Sequence, residues 1–387
     1  MSIKKYYLII VGSLLLHATG IHAQPKTWVD SLEKHGREVF MPAEKYKWDW
    51  GQATFLHALK QLHAEKRGNN PALYASYIQK AMEVSRQVAN GRHPNAVASA
   101  HGIVFLARTT GDSSFKRWAE SILADYLQIP RTFNGGVSHR AETLELWDDT
   151  VYMLSMFLVE MYKLTGDEKY IAYFLEQFNS HHEKLLDKSS GLWVHGWDAD
   201  SVFYDDGCSV KNWPDKQTHR NDQIWARGNG WVGMALADAL EAVGPRSRFS
   251  KPLGKALLHF IKAIEPFQNQ ESGHWYQLVT LPTLRGNFLE SSSTAMFAYA
   301  IIKGIQLHVV QPKTYLPMAE KAYTGLRRLS MRNPEGTAYL VPTRVSGGTC
   351  VGDQAYYLGR KITEGTGFGY GSMIMFGLAF ESYMFNK

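Results

Sequence analysis

Apolar residues recur every three to four positions over most of the chain, and the two-residue alternation of a half-buried strand is almost absent. That period predicts helices over 27–40, 51–66, 70–90, 96–109, 112–127, 142–164 and 167–186. It predicts five more over 231–243, 251–264, 291–307, 314–330 and 369–385. No linker-like stretch interrupts the series, so it reads as one all-α domain. "TTGDSSF" at 109–115 and "LTGDEKY" at 164–170 share T-G-D-x-x-aromatic. The Gly suits a left-handed cap ending one helix and the Asp an N-cap starting the next, so each copy marks a tight helical hairpin. The copies lie 55 residues apart, Gly111 to Gly166, and at that period the chain holds roughly six hairpins. Six hairpins in a ring make an (α/α)6 barrel, a toroid whose inner-helix ends enclose one central pocket.

The N-terminus breaks the pattern. In "MSIKKYYLIIVGSLLLHATGIHAQ", Lys4 and Lys5 precede an apolar run from Tyr6 to Leu16, then small residues and a cut site after Ala23. This predicts a secretory leader over 1–23 and an exported, periplasmic barrel domain over 24–387. No later stretch approaches ~20 uninterrupted apolar residues, so no membrane span is expected. The formal charge is +6, and losing Lys4 and Lys5 leaves +4, scattered without a basic block. That argues against a nucleic-acid partner and admits an anionic small substrate. Cys208 and Cys350 leave one bridge or two free thiols open. Aromatics reach 13% with 11 Trp, and Trp beside Gly, Asp and His suits a pocket for a sugar-like ligand.

Several stretches have the residue types for chemistry. "RGNGWVG" at 227–233 contains G-x-G-x-x-G, but its approach, "DKQTHRNDQIWA", is not a strand, so no dinucleotide cofactor is implied. It is expected to present Arg227, Trp225 and Trp231 around flexible backbone at a helix start. "LELWDDTVYM" at 144–153 offers Asp148 and Asp149 about 100° apart on a helix, so the two should not enter one pocket. As first-turn acids they equally suit the helix dipole. "NGGVSHR" at 134–140 presents His139 and Arg140, and "SGLWVHGWD" at 190–198 presents His195. "YKWDWGQ" places Trp48 and Trp50 at an early helix start, "NFLESSSTAMFAYA" offers Glu290, and "EGTGFGYGS" at 364–372 reads as a pliable pocket rim. No H-x-x-x-H or carboxylate–His spacing on one face predicts a metal site, and no G-x-S-x-G elbow is present.

Together "WDDTVYM", "TGDEKY", "GLWVHGWD", "WARGNGW" and "ESSSTAMFAYA" resemble the unsaturated glucuronyl and rhamnogalacturonyl hydrolases of glycoside hydrolase families 88 and 105. The resemblance spans nearly the whole mature chain, is closer to the rhamnogalacturonyl branch, and implies the same (α/α)6 barrel. By that resemblance Asp149, two positions after Trp147, is the catalytic acid. Trp225, Arg227 and Trp231 match pocket residues, as do His139 and His195, and Trp50 is assigned with them to substrate binding. Where the family often places a second pocket acid this chain has "GRHPNAVASAHG", with Asn95 the nearest candidate and His93 the next.

The implied substrate is an oligosaccharide bearing a 4,5-unsaturated uronate at its non-reducing end. The implied reaction is hydration of the C4=C5 vinyl ether, with no metal or cofactor. Asp149 would act as acid and then base, its pKa held near working pH by an apolar site, and Arg227, with His139 or Arg140, would pair with the substrate carboxylate. The glycines would let backbone approach the sugar. Two other readings share these residues: a conventional glycosidase or sugar epimerase on the same toroid, and a non-catalytic glycan-binding protein.

Overall fold

The computed structural model describes residues 27–202, 204, 208 and 213–385, so the expected leader lies outside the described residues. Helices α1 (Trp28–His35), α2 (Trp50–Ala64), α3 (Pro71–Ser85), α4 (Pro94–Ser99) and α5 (His101–Thr110) come first. Next are α6 (Ser113–Tyr126), α7 (Asp149–Thr165), α8 (Lys169–Leu185), α9 (Ala226–Val243) and α10 (Ser250–Ile264). The series ends with α11 (Ser291–Gln306), α12 (Pro312–Leu329), α13 (Gln354–Leu358) and α14 (Gly367–Phe385).

The packing closes a ring. Helix α2 touches α4 and α5, both touch α7, α7 touches α9, α9 touches α11, α11 touches α14, and α14 returns to α2. Each inner helix has an outer partner: α3 on α2, α6 on α5, α8 on α7, α10 on α9, α12 on α11, and α1 on α14. Six hairpins therefore form the expected (α/α)6 barrel, its last hairpin made by the two ends of the described chain. Burial follows layer. Every residue of α11 from Ser291 to Ile305 is buried, whereas outer α6 buries only Ala119, Ile122 and Tyr126. Both T-G-D turns join an inner helix to its outer partner: Gly111 and Gly166 take left-handed φ of 73° and 70°, and Asp112 caps α6. No helix among the described residues is long and apolar enough to cross a membrane.

The departures from the periodic reading gather at one end. The stretch 96–109 breaks at Ala100 into α4 and α5. The segment read as one helix from 142 begins only at Asp149, because β1 (Glu145–Trp147) pairs antiparallel with β2 (Gly196–Asp198). Three more two-stranded ladders join β3 (Trp275–Tyr276) to β4 (Leu289–Glu290), β5 (Met331–Arg332) to β6 (Val341–Pro342), and β7 (Val345–Ser346) to β8 (Ile362–Thr363). All lie in outer-to-inner connections, in front of the N-terminal ends of the inner helices. Helix α9 starts five residues earlier than the pattern suggested, so the G-x-G-x-x-G lies inside it. Its glycines do not present flexible backbone to a ligand. A Cβ at Gly228 would sit 2.1 Å from both carboxylate oxygens of Asp148, and Cβ atoms at Gly230 and Gly233 would strike Met296 and Phe260. The stretch 364–372 is likewise no loose rim from Gly367 onward: a Cβ at Gly371 would lie 2.6 Å from the Thr54 backbone, so α14 packs directly on α2. Cys208 and Cys350 are bridged, with Cα atoms 5.5 Å apart.

Candidate active site

Register explains the centre of the site. Trp147 faces Gly196 in the β1–β2 ladder, and the Asp148 N–H donates to the His195 carbonyl at 3.0 Å. The ladder thus delivers the His195 imidazole to the first residue of α7. Its Nε2 lies 3.1 Å from Asp149 Oδ2 and 3.8 Å from Asp148 Oδ1, and its Nδ1 lies 2.6 Å from the Tyr357 hydroxyl. Asp148, at the N-cap of α7, has helical dihedrals (φ −60°, ψ −28°), and both carboxyls nevertheless come to the one imidazole, because His195 reaches in between them. Their exposure differs, however. The Asp148 side chain is wholly buried against Gly228 with no hydrogen-bond partner for either oxygen, whereas Asp149 keeps 13% of its side chain exposed.

Charge follows from these contacts. Burial, reinforced by the Asp149 charge, pushes the Asp148 carboxyl well above its ordinary range. Burial also acts to raise Asp149, but the hydrogen bond from His195, with the Arg227 cation nearby, outweighs it and holds the group below its usual value. Burial lowers His195 despite Asp149. The consistent arrangement is a protonated Asp148, an ionised Asp149 and a neutral His195 donating from Nε2 to Asp149 while Tyr357 donates to Nδ1. An apolar wall therefore does not hold Asp149 near neutral pH in the free site. It is Asp148 that burial keeps protonated.

The other expected residues divide into two groups. His139 stacks on Trp147 at 4.4 Å, bonds Thr150 Oγ1 through Nδ1 at 2.8 Å, and meets His93 edge-on at 5.3 Å. Trp147 donates to Glu145 at 2.7 Å and turns its edge to His195. Asn95 is half-buried in the first turn of α4, which packs on α7. Half-buried Trp50 stacks on Phe368 at 4.8 Å beside a cavity of about 380 Å³ that Lys45 and Lys47 also line.

Three residues are closed off, against expectation. Trp231 has no exposed surface: it stacks on Tyr152 at 4.9 Å and takes the edge of Trp50, so it is core and not a sugar platform. Trp225 is covered by His195 at 4.4 Å and by the Arg227 guanidinium at 4.6 Å. Arg227, fully buried, gives its terminal nitrogens to the carbonyls of Ser346 and Gly347 and lies 3.9 Å from Glu290. Its charge is already spent within the protein, so it does not present itself to a substrate carboxylate.

Three contributors escaped the sequence reading. Glu290, which the sequence offers without a role, caps α11 through Ser293 N–H and accepts Ser346 N–H at 2.9 Å. Phe368 lay inside the glycine stretch. Tyr357, on α13, carried no motif at all. Among the described residues Asp148, Asp149 and His195 also form a cluster whose ligand-type atoms lie within 4.8 Å of one another. Spacing on one helix face could not have found it, since a β-ladder assembles it. A cation there would have to displace the Nε2 proton and ionise Asp148.

The geometry agrees with known proteins. The family model "Glycosyl Hydrolase Family 88" matches residues 21–384. The chain belongs to this family. It is a glycoside hydrolase. It is 24% identical over 322 residues to the unsaturated rhamnogalacturonyl hydrolase YesR of Bacillus subtilis, covering 78% of this chain and 86% of that protein. A family 105 glycoside hydrolase from C. acetobutylicum superposes with a TM-score of 0.77 at 22% identity, over 92% of this chain and 98% of that one. The unsaturated glucuronyl hydrolase of Bacillus sp. GL1 gives 0.63 at 15% identity, over 87% of each. Both share the fold.

Proposed function

We propose that this enzyme removes a 4,5-unsaturated uronic acid from the non-reducing end of oligosaccharides of the kind polysaccharide lyases release. The reading is drawn from the relatives' named activities together with one observation. Among the described residues, of the carboxyls gathered around His195 and Arg227 only Asp149 has exposed surface, while Asp148 and Glu290 have none. A conventional glycosidase brings two carboxyls to opposite sides of the glycosidic bond, about 5–9.5 Å apart. Hydration of a vinyl ether needs one group that gives a proton to C4 and takes one from the water adding at C5. The hemiketal formed at C5 then opens and releases the second sugar. Asp149 fills both roles, and the substrate's own carboxylate would raise its proton affinity on binding. An epimerase would use a histidine pair. His93 and His139 do meet, but His139 is sealed under Trp147.

The Cys208–Cys350 bridge supports export by the 1–23 leader to an oxidising compartment such as the periplasm. The deciding experiment is incubation with lyase-generated disaccharides while following the ultraviolet absorbance of the conjugated alkene acid. Loss of absorbance in step with release of the second sugar is expected. Release with the absorbance intact would refute hydration, and no turnover of any such disaccharide would refute the substrate class.

A further inference from the structure

The barrel has a second mouth. At the C-terminal ends of the inner helices a cavity of about 400 Å³ opens, with residues from every sector of the ring in its wall. It is distinct from the catalytic end. Lys60 follows Trp50 by ten residues on α2, and Glu160 and Asp238 follow Asp149 and Arg227 by eleven on α7 and α9. At 1.5 Å per residue the two ends are about 15 Å apart along each helix. Between them the rings of Trp231, Tyr152 and His57 lie nearly parallel, 4.9 Å and then 6.2 Å apart, and plug the axis.

The two walls of this cavity differ in charge. On one, the Glu160 carboxylate faces three cations: Lys60 at 3.1 Å, Lys163 at 3.2 Å and Arg108 at 3.5 Å. Glu160 alone pairs with these three cations, while Glu65, Asp238 and Glu241 elsewhere in the lining bring the cavity's acids to four against four bases. Lys60 Nζ pairs with Glu160 at 3.1 Å and has no other acceptor among the described residues, so N–H groups of its ammonium are left over. On the facing wall Asp238 accepts the Tyr299 hydroxyl on Oδ1 at 2.6 Å. Its Oδ2, 3.6 Å from His57 Nε2, has no donor. Lys60, Glu160 and Asp238 are all more than nine-tenths buried. Burial pushes Asp238 up to about 6 and Lys60 down to about 8, so both charges are held against desolvation. At the rim Glu241 is already paired with Lys303.

We propose that this cavity binds a small hydroxy-carboxylate of the sugar-acid class, its carboxylate on Lys60, Lys163 and Arg108 and a hydroxyl donating to Asp238. The wall chemistry selects that class. A bare oxyanion would satisfy the cationic wall and meet repulsion from Asp238. A neutral sugar would reach Asp238 and bring no anion to the three cations that share the single Glu160 carboxylate. A molecule with an anionic end and a donor end answers both the spare N–H groups of Lys60 and the unpartnered Asp238 Oδ2, and the volume lies in the range of small-ligand sites. The inference stands apart from the reading of the catalytic end.

Calorimetric titration of the mature protein with D-galacturonate tests it, with D-galactose and sulfate as comparison probes. Saturable binding of galacturonate is expected, with both comparison probes at least tenfold weaker. Lys60→Met and Asp238→Asn should each weaken galacturonate at least tenfold, and Lys60→Arg should restore most of the loss. Asp149→Asn, at the other end, should leave this binding unchanged. Lys60→Met keeps two cations on Glu160, and an unchanged melting temperature would verify its fold. Three outcomes overturn the proposal: no saturable binding, sulfate binding as tightly as galacturonate, or binding lost in Asp149→Asn and retained in Lys60→Met.

Discussion

His195 Nε2 approaches Asp149 Oδ2 at 3.1 Å, and this contact sets the charge of a carboxyl that the site exposes. Burial alone would raise Asp149; His195 reverses the sign. His195→Ala should therefore let the Asp149 titration move up. A group with a depressed folded pKa adds stability above its unfolded value, about 3.9, and loses it as pH falls through the folded value. That acid-side contribution should vanish in His195→Ala. Carbon-13 NMR of labelled aspartate carboxyls would follow the midpoint. A midpoint that stays depressed would assign the effect to His139 and Arg227 instead.

Asp149→Asn should reduce turnover by about 10²–10⁴-fold or more, the usual worth of a general acid–base group, with folding little changed. Asp148→Asn should behave differently. A carboxyl whose folded pKa is raised costs stability progressively as pH rises from its unfolded value toward its folded one. The amide replaces a protonated acid at nearly equal volume and removes that cost. Asp148→Asn should then keep activity within about tenfold and melt higher than the wild type, by a margin larger at pH 8 than at pH 4. An inactive Asp148→Asn beside an active Asp149→Asn would exchange the two roles.

Arg227 ties the start of α9 to β7 and to Glu290. Arg227→Ala leaves a fully buried Glu290 charge without its cation and frees the Ser346 and Gly347 carbonyls. The expected loss of stability is about 3–5 kcal/mol, accompanied by a fall in kcat as the loop carrying β7 loosens. The double variant Arg227→Met with Glu290→Gln should recover part of that stability, because no buried charge is then left unpaired. Raised KM with wild-type melting would instead make Arg227 a substrate ligand.

How much of this was legible follows from the range of the forces involved. The 3.6-residue period comes from local burial along each helix, so the helices and, through the repeated T-G-D turn, the six-hairpin ring could be read directly. Ladders of two or three residues leave no period to detect. Glu145–Trp147 pair with Gly196–Asp198 across about fifty residues, and that pairing decides where α7 begins and how Asp148 points. The same applies to G-x-G-x-x-G: the close contact Gly228 permits is with the carboxylate that precedes another helix, which no spacing within the motif encodes. Tryptophan content cannot separate a pocket wall from a core plug. Trp50 is half-exposed and Trp231 fully enclosed, although each stands next to a glycine near the start of a helix. Tyr357 reaches His195 from a connection with no chemical signature.

The mechanism itself can be tested by where Asp149 delivers its proton. If C4 is protonated and water adds at C5, turnover in heavy water places deuterium on C4 of the released keto-uronate. Oxygen from labelled water must appear at C5, in the new ketone, when the product is trapped by reduction before exchange. The leaving sugar keeps its bridging oxygen in either mechanism and is uninformative. Attack at C1 would instead put the label on the anomeric carbon and leave the C4=C5 bond in the first product. Asp149 is the exposed carboxyl, and buried Asp148 cannot reach the opposite face of a sugar to serve as its partner, so C4 deuteration is expected. A first product that still absorbs as an unsaturated acid, labelled at C1 and free of deuterium at C4, would require a second exposed carboxylate facing Asp149 across the sugar.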